Sequence, residues 1–96
     1  MSPAPQKWTY VYLLQSKKDN SLYIGCTSSL RERLQEHKKG KNYYTKRMLP
    51  IELIYFEGYK SKQDAFEREK RLKHYGSGLR NLKMRLQNTA KKGGAG

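Results

Sequence analysis

Residues 8–25, WTYVYLLQSKKDNSLYIG, decide the fold. Trp8 to Leu14 is rich in aromatic and β-branched residues, and a second such run, Leu22 to Gly25, follows the polar break Lys17-Lys18-Asp19-Asn20. Side chains of this kind fit a pleated, half-buried surface, so the two runs read as paired strands of a β-hairpin. The Asp19-Asn20 tip suits a turn, because both side chains can bond nearby backbone and tolerate left-handed conformations. Alternation along the first strand points Tyr10 and Tyr12 one way and Val11 and Leu13 the other.

Downstream of the hairpin, Ser29-Leu30-Arg31-Glu32 has the form of a capping box and predicts a helix start. Leu30, Leu34 and His37 fall on one helical stripe, and Gly40 is a natural stop. Residues 41–48 form a basic, tyrosine-bearing connection closed by Pro50. Ile51 to Phe56 reads as a third strand, apolar enough to lie buried on both faces, centrally in the sheet or under helices. Ser61-Lys62-Gln63-Asp64 opens a second helix running to about Tyr75, where Gly76-Ser77-Gly78 breaks it. A third helix follows, with Leu79, Leu82 and Leu86 on its apolar stripe. The expected order is β-β-α-β-α-α in one domain over residues 8–87. A short extension, 1–7, precedes it, and a small, basic, glycine-rich stretch, 88–96, reads as a disordered tail.

The chain has 96 residues, of which 21 are Lys or Arg and 8 are Asp or Glu, for a formal charge of +13. Such a field concentrates polyanions and repels cationic substrates, which makes nucleic acid the default partner. The hydrophobic fraction of 35% allows one thin core. With a single cysteine, Cys26, neither an intramolecular disulfide nor a cysteine-rich zinc site can form. That usage fits the cytoplasm, and the start of the chain has no apolar run of the kind a signal peptide or membrane span needs.

Glu69 is the most informative single residue. Ala65, Phe66 and Leu72 lie at i−4, i−3 and i+3, which places its carboxylate on the stripe predicted to face the core. A buried carboxylate needs a partner. Two readings stand: an ion pair, for instance with an arginine of the first helix, or a metal ligand at the rim of the sheet, where Mg2+ takes one or two carboxylates and keeps its waters. Arg33 and His37, at i and i+4, share one side of the first helix. They read either as a solvated cation and an edge packer favoured by the helix dipole, or as a phosphate clamp using the forked donors of the guanidinium. The 8 tyrosines, interleaved with Lys and Arg, fit base stacking and equally fit ordinary strand packing. Packing or surface contact is the reading for Tyr43, Tyr44, Tyr55, Tyr59 and Tyr75, whereas Tyr12 and Tyr23 lie on paired strands and can converge.

These residues together carry a resemblance. Tyr10-Val11-Tyr12 followed by Tyr23-Ile24-Gly25 resembles the paired motif of the GIY-YIG nuclease superfamily. Arg33 lies ten residues after Tyr23 and His37 four further on, and Ala65 to Glu69 resembles the Ala-x-x-x-Glu of the family's metal-binding helix. The pieces fall in the family's order over about residues 8 to 87. The chain is most similar to small single-domain bacterial members, which are related to the N-terminal nuclease domain of the excision-repair nuclease subunit.

The resemblance implies an α+β fold with a small three-stranded antiparallel sheet flanked by helices. It also implies hydrolysis of DNA phosphodiester bonds, in repair or recombination, with one Mg2+ or Mn2+ held by Glu69. Tyr12 and Tyr23 then orient or deprotonate the attacking water, and Arg33 neutralises the scissile phosphate. His37 matches a histidine of several branches, and Lys73 also matches a family position. Arg31, Lys38, Lys41, Lys46, Arg47 and Lys73 are the expected contacts to nucleic acid. Three departures stand out: Tyr10 replaces the first motif's glycine, Cys26 follows Tyr-Ile-Gly where some branches have lysine, and no second DNA-binding or zinc module is present. The alternative is a non-catalytic basic nucleic-acid-binding module of the same fold. A partner protein that presents the target is compatible with either, and oligomeric state is not readable.

Overall fold

In the computed structural model, residues 7–74 and 76–91 are described. The elements are β1 (Thr9–Ser16), β2 (Leu22–Thr27), α1 (Leu30–Lys38), a 3-10 turn (Lys46–Met48), β3 (Ile51–Tyr59), α2 (Lys62–His74) and α3 (Gly76–Arg85). The three strands form one antiparallel sheet in the order β2-β1-β3. The α+β fold and the β-β-α-β-α-α order are those expected from sequence.

The hairpin turn follows its side-chain chemistry. Asn20 adopts a left-handed φ of 64°, and Asp19 Oδ1 accepts bonds from the Ser21 backbone N–H at 3.0 Å and its hydroxyl at 2.7 Å. Two-residue alternation then divides β1 between the two faces of the sheet. Val11 and Leu13 join Ile24, Ala65, Leu72, Leu82 and Leu86 in an apolar core under α2 and α3. Tyr12 and Leu14 face the other way, with Ile51, Leu30, Leu34, Leu49 and Leu53.

Strand β3 corrects the sequence reading. It is an edge strand, β1 is the central one, and of β3 only Ile51 is fully buried. Its apolar run arises instead from an irregularity. The register moves from Leu13↔Tyr55 to Leu14↔Leu53, so Ile54 is the extra residue of a bulge. Ile54 and Tyr55 consequently both reach the core under α2 and α3, while Leu53 serves the opposite face.

The start of α1 also departs from expectation. Ser29 makes no side-chain cap: its hydroxyl accepts a bond from Lys7 Nζ at 3.0 Å, and its N–H donates to Thr27 Oγ1 at 3.0 Å. The end of α1 is as expected. Gly40 takes a φ of 74°, its N–H donates to the His37 carbonyl and that of Lys41 to the Glu36 carbonyl. This pattern closes the helix with a left-handed residue that only glycine adopts at no steric cost.

The glycines after α2 are not a gap. α2 ends at His74, Tyr75 lies outside the described residues, and Gly76 to Gly78 form the first turn of α3. Tyr55 and Tyr59 pack against the apolar core, as expected, and Tyr43 and Tyr44 contact each other edge-to-face on the surface. Residues 88–91 differ from the disordered tail that composition predicts. Gln15 of β1 bonds the Lys91 backbone twice, accepting from its N–H at 3.0 Å and donating to its carbonyl at 2.8 Å. The rest of the tail, 92–96, and residues 1–6 lie outside the described residues. Among the described residues no helix is long and apolar enough to cross a membrane.

Candidate active site

The face of the sheet under α1 carries a buried polar cluster. Tyr12, on the central strand, is 1% exposed, and His37, in the last turn of α1, is 0% exposed. The Tyr12 hydroxyl lies 2.8 Å from His37 Nε2, and His37 Nδ1 lies 2.7 Å from Thr45 Oγ1. Both ring nitrogens are therefore engaged, and neutral imidazole supplies one donor and one acceptor for the two contacts. Tyr23 completes a trio of rings, with its centroid 6.5 Å from Tyr12 and 5.3 Å from His37.

The register explains this convergence. Tyr12 pairs with Gly25 and Leu14 with Tyr23, so the two tyrosines are diagonal neighbours on one face. Gly25 is required by close approach: a Cβ there would overlap Cζ and Oη of Tyr12, whose ring lies across β2. The glycine of the Tyr23-Ile24-Gly25 motif is the seat of the Tyr12 ring.

Burial sets the protonation of this cluster. It pushes the Tyr12 hydroxyl well above the ordinary tyrosine range, with Tyr23 adding to the effect, while the Arg33 guanidinium opposes it by charge and a hydrogen bond. Burial likewise pushes His37 below its ordinary value, and the nearby charge of Arg33 acts in the same direction. His37 is not at the edge of the packing: it is fully buried with both ring nitrogens bonded, and desolvation and Arg33 favour its neutral form against a smaller opposing effect of Glu36. Arg33 itself is half-exposed and forms a 3.3 Å ion pair with Glu36. It lines a small cleft of about 120 Å³ with Glu36, Lys41 and Asn42. A larger cleft, about 630 Å³, lies between the hairpin turn and α3 and contains none of these residues.

Glu69 approaches from the other side of the sheet. The buried stripe of α2 is Ala65 and Leu72, whereas Phe66 is 47% exposed and lies off it. One residue advances a helix by about 100°, so Phe66 turns away when Ala65 faces the strands. Glu69 is left at the rim of the stripe and pairs with Lys73, one turn along its own helix, at 3.1 Å, rather than with an arginine of α1. Lys73 Nζ in turn lies 5.9 Å from the centre of the Tyr23 ring. Lys73 thus links Glu69 to Tyr23. The field of Glu69 extends to Tyr12 and to Cys26, whose thiol is pushed up chiefly by burial and then by Glu69.

The structure thus brings Tyr12, Tyr23, Arg33, His37 and Lys73 to one region, with Glu69 at its border. Arg31, Lys38, Lys41, Lys46 and Arg47 are exposed on α1 and the connection that follows it, and Lys46 Nζ lies 5.1 Å from the centre of the Tyr43 ring. Thr45 is the residue that sequence reasoning missed. Its signal was Asn42, whose Oδ1 accepts the N–H groups of Tyr44 and Thr45 and folds the connection back under α1.

The family model described as the GIY-YIG catalytic domain matches residues 8–81. The chain belongs to the GIY-YIG family. Within this nuclease family it groups with small bacterial relatives named UPF0213 proteins. It is 42% identical to the UPF0213 protein of Staphylococcus haemolyticus over 76 residues, which cover 78% of this chain and 90% of that one. It is 45% identical over 65 residues to a UPF0213 protein of Streptococcus pneumoniae, covering 67% of this chain and 65% of the relative's length. The solution NMR structure of a UPF0213 protein from Bacillus halodurans matches with a TM-score of 0.52 at 30% identity, covering 92% of this chain and 88% of that one.

Proposed function

We propose that the chain is a metal-dependent endonuclease that hydrolyses DNA phosphodiester bonds, in repair or recombination. The observation that carries this reading is the Tyr12–His37 hydrogen bond, placed beside Tyr23 and Arg33 in a chain of charge +13.

A phenol at its ordinary pKa is a poor base at neutral pH unless its proton has somewhere to go. Tyr12 has that acceptor at 2.8 Å. In this reading His37 Nε2, in contact with the Tyr12 hydroxyl, takes the Tyr12 proton as Tyr12 Oη takes one from the attacking water. Thr45, on Nδ1, holds the ring in orientation. Tyr23, half-buried at the mouth of the cluster, positions the water. The Arg33 guanidinium offers paired donors to a non-bridging phosphate oxygen and offsets the charge that builds up as the phosphorus is attacked. Its partner Glu36 is exposed, so releasing the guanidinium costs little.

Glu69 would hold the divalent cation. Among the described residues no group of three His, Cys, Asp or Glu could hold a metal, which fits poorly with Zn2+ or Ca2+ and well with Mg2+ or Mn2+. Those ions accept a single carboxylate and retain waters. When bound, such an ion supplies positive charge at the scissile phosphate. Lys73 occupies the carboxylate otherwise, and keeps Glu69 satisfied at the rim of the core. Arg31, Lys38, Lys41, Lys46 and Arg47 supply backbone phosphate contacts along α1 and its connection. The alternative, a basic binding module without catalysis, draws its support from the same charge and from the Glu69–Lys73 pair.

The test compares parent and Glu69→Ala, purified side by side, on supercoiled plasmid, single strands and branched or flapped DNA. Metal-dependent cutting by the parent and none by the variant is expected. Equal cutting by both refutes the metal site, and salt-sensitive binding without cutting in Mg2+ and Mn2+ favours the binding module.

A further inference from the structure

An aromatic patch adjoins the candidate site and takes no part in the chemistry above. Phe56 of β3 is the direct cross-strand partner of Tyr12, and Gly58 that of Tyr10, so all share the face of the sheet that α1 only partly covers. Phe56 is 52% exposed and Trp8 48%. Tyr10 and Phe56 meet edge-on, with centroids 6.0 Å apart. Gly58 lies beneath: a Cβ there would come within 3.0 Å of the Tyr10 ring and 3.3 Å of the Trp8 ring. Trp8, Tyr10 and Phe56 therefore form one platform over a strand position with no side chain. The apolar residues of α1, Leu30 and Leu34, pack with Leu14, Ile51 and Leu53 at the other end of that face.

Other rings are exposed as well, but Trp8, Tyr10 and Phe56 are contiguous and adjoin the candidate site, and it is contiguous apolar patches that mark interaction surfaces. The charge of +13 selects a polyanion as the occupant. A duplex offers its phosphates but keeps base faces stacked inside, whereas an unpaired nucleotide brings both a phosphate and a free π-face. We infer that the Trp8–Tyr10–Phe56 platform stacks an unpaired base next to the scissile phosphate, so that the substrate class is single-stranded or splayed nucleic acid rather than continuous duplex. The inference rests on the nuclease reading of the same face, since it is Tyr12 and Arg33 beside the platform that place the phosphate. Phe56 is the direct β3 partner of Tyr12, whose ring extends the other way over β2, so the platform flanks the reactive hydroxyl on the β3 side of the same face.

Trp8 is the sole tryptophan, so its fluorescence reads the platform directly. The full chain is titrated in EDTA, where no strand is cut, with a thymidine oligonucleotide of about ten residues, a blunt duplex of the same length, and a duplex carrying an unpaired flap. Saturable quenching by the single strand and the flap, and little by the blunt duplex, is expected. Base–aromatic stacking predicts that Phe56→Leu, which keeps charge and apolar area, weakens single-strand binding about fivefold or more, while Phe56→Tyr retains it. Equal quenching by the blunt duplex overturns the inference, as does unchanged binding by Phe56→Leu. Quenching that depends on protein concentration without DNA, with a dimer lost in Phe56→Leu, also overturns it and assigns the platform to a second copy. If the parent fails to cut any DNA but shows the expected quenching, the nuclease reading falls and the platform stands. If it cuts but shows no quenching, the platform falls alone.

Discussion

The two faces of the same three-stranded sheet are built to different ends. Under α2 and α3, Val11, Leu13, Ile24, Ala65, Leu72, Leu82 and Leu86 form an apolar core, with the Arg68–Glu57 ion pair at its margin and Thr9 and Gln15 buried along β1. Under α1, side chains from the same strand enclose a hydrogen-bonded phenol, imidazole and hydroxyl with an arginine at their edge. Apolar burial is non-directional and tolerant of exchange, whereas buried polar groups demand specific partners. One face is held by apolar packing, and the other by the hydrogen-bonded chain Tyr12–His37–Thr45.

Substitutions sharpen that contrast. Leu72→Ala, on the apolar face, is expected to cost about 2–5 kcal/mol by removing packed methyl groups and leaving a cavity. Any cutting measured per folded molecule, with the folded fraction taken from denaturant titration, should stay near the parent value. Equal loss of stability and of specific activity would break the division between faces. Gly25→Ala, on the other face, forces the Tyr12 ring off β2, and overpacking of this kind costs about 1–3 kcal/mol. Here specific activity should fall together with stability, measured by the same pair of assays.

Besides its effect on cutting, His37→Gln should change how stability depends on pH. Folded His37 titrates below its ordinary 6.5 because it is buried beside Arg33, while the unfolded chain binds the proton near about 6.5. The unfolded state therefore takes up more protons as the pH falls from that value towards the folded one, and stability present above it is lost. Thermal melts between pH 7.5 and 5 should show a steeper decline for the parent than for His37→Gln, and equal slopes would contradict a neutral buried His37. Arg33→Lys should have the smallest effect on stability, within about 0.5 kcal/mol in denaturant titration, because its ion pair with Glu36 is exposed. It keeps the charge but loses the fork, so cutting should fall while the melting temperature holds.

Local features were legible in the sequence and non-local ones were not. The hairpin turn at Asp19-Asn20, the α1 stripe of Leu30, Leu34 and His37, and the Gly40 stop each follow from spacing or turn chemistry within a few residues. The family motif, which the matched family model and the fold agree with, added the order and strand count. The position of β3 was misread because edge and centre are set by pairing across the whole sheet, and the bulge at Ile54 lent an edge strand the apolar run of a central one. Ser29 looked like a cap, but Lys7, far off in sequence, takes its hydroxyl. The i−3 spacing of Phe66 from Glu69 suggests the α2 stripe, but Phe66 follows the buried Ala65 by one residue and so turns to solvent. Asn42 marks the turn that carries Thr45, but nothing local to it says that the Thr45 hydroxyl meets the His37 imidazole.

The most direct test of the proton path is Tyr12→Phe, which keeps the ring over Gly25 and removes only the hydroxyl. Leaving His37 Nε2 without its partner should cost about 1–3 kcal/mol, so cutting is measured at a temperature where the variant is fully folded. A drop in metal-dependent cleavage of about 10²–10⁴-fold, with no further loss on adding His37→Gln, is the result expected of two groups that move one proton. Cleavage by Tyr12→Phe at the parent rate would contradict it and return the Tyr12–His37 bond to a structural role.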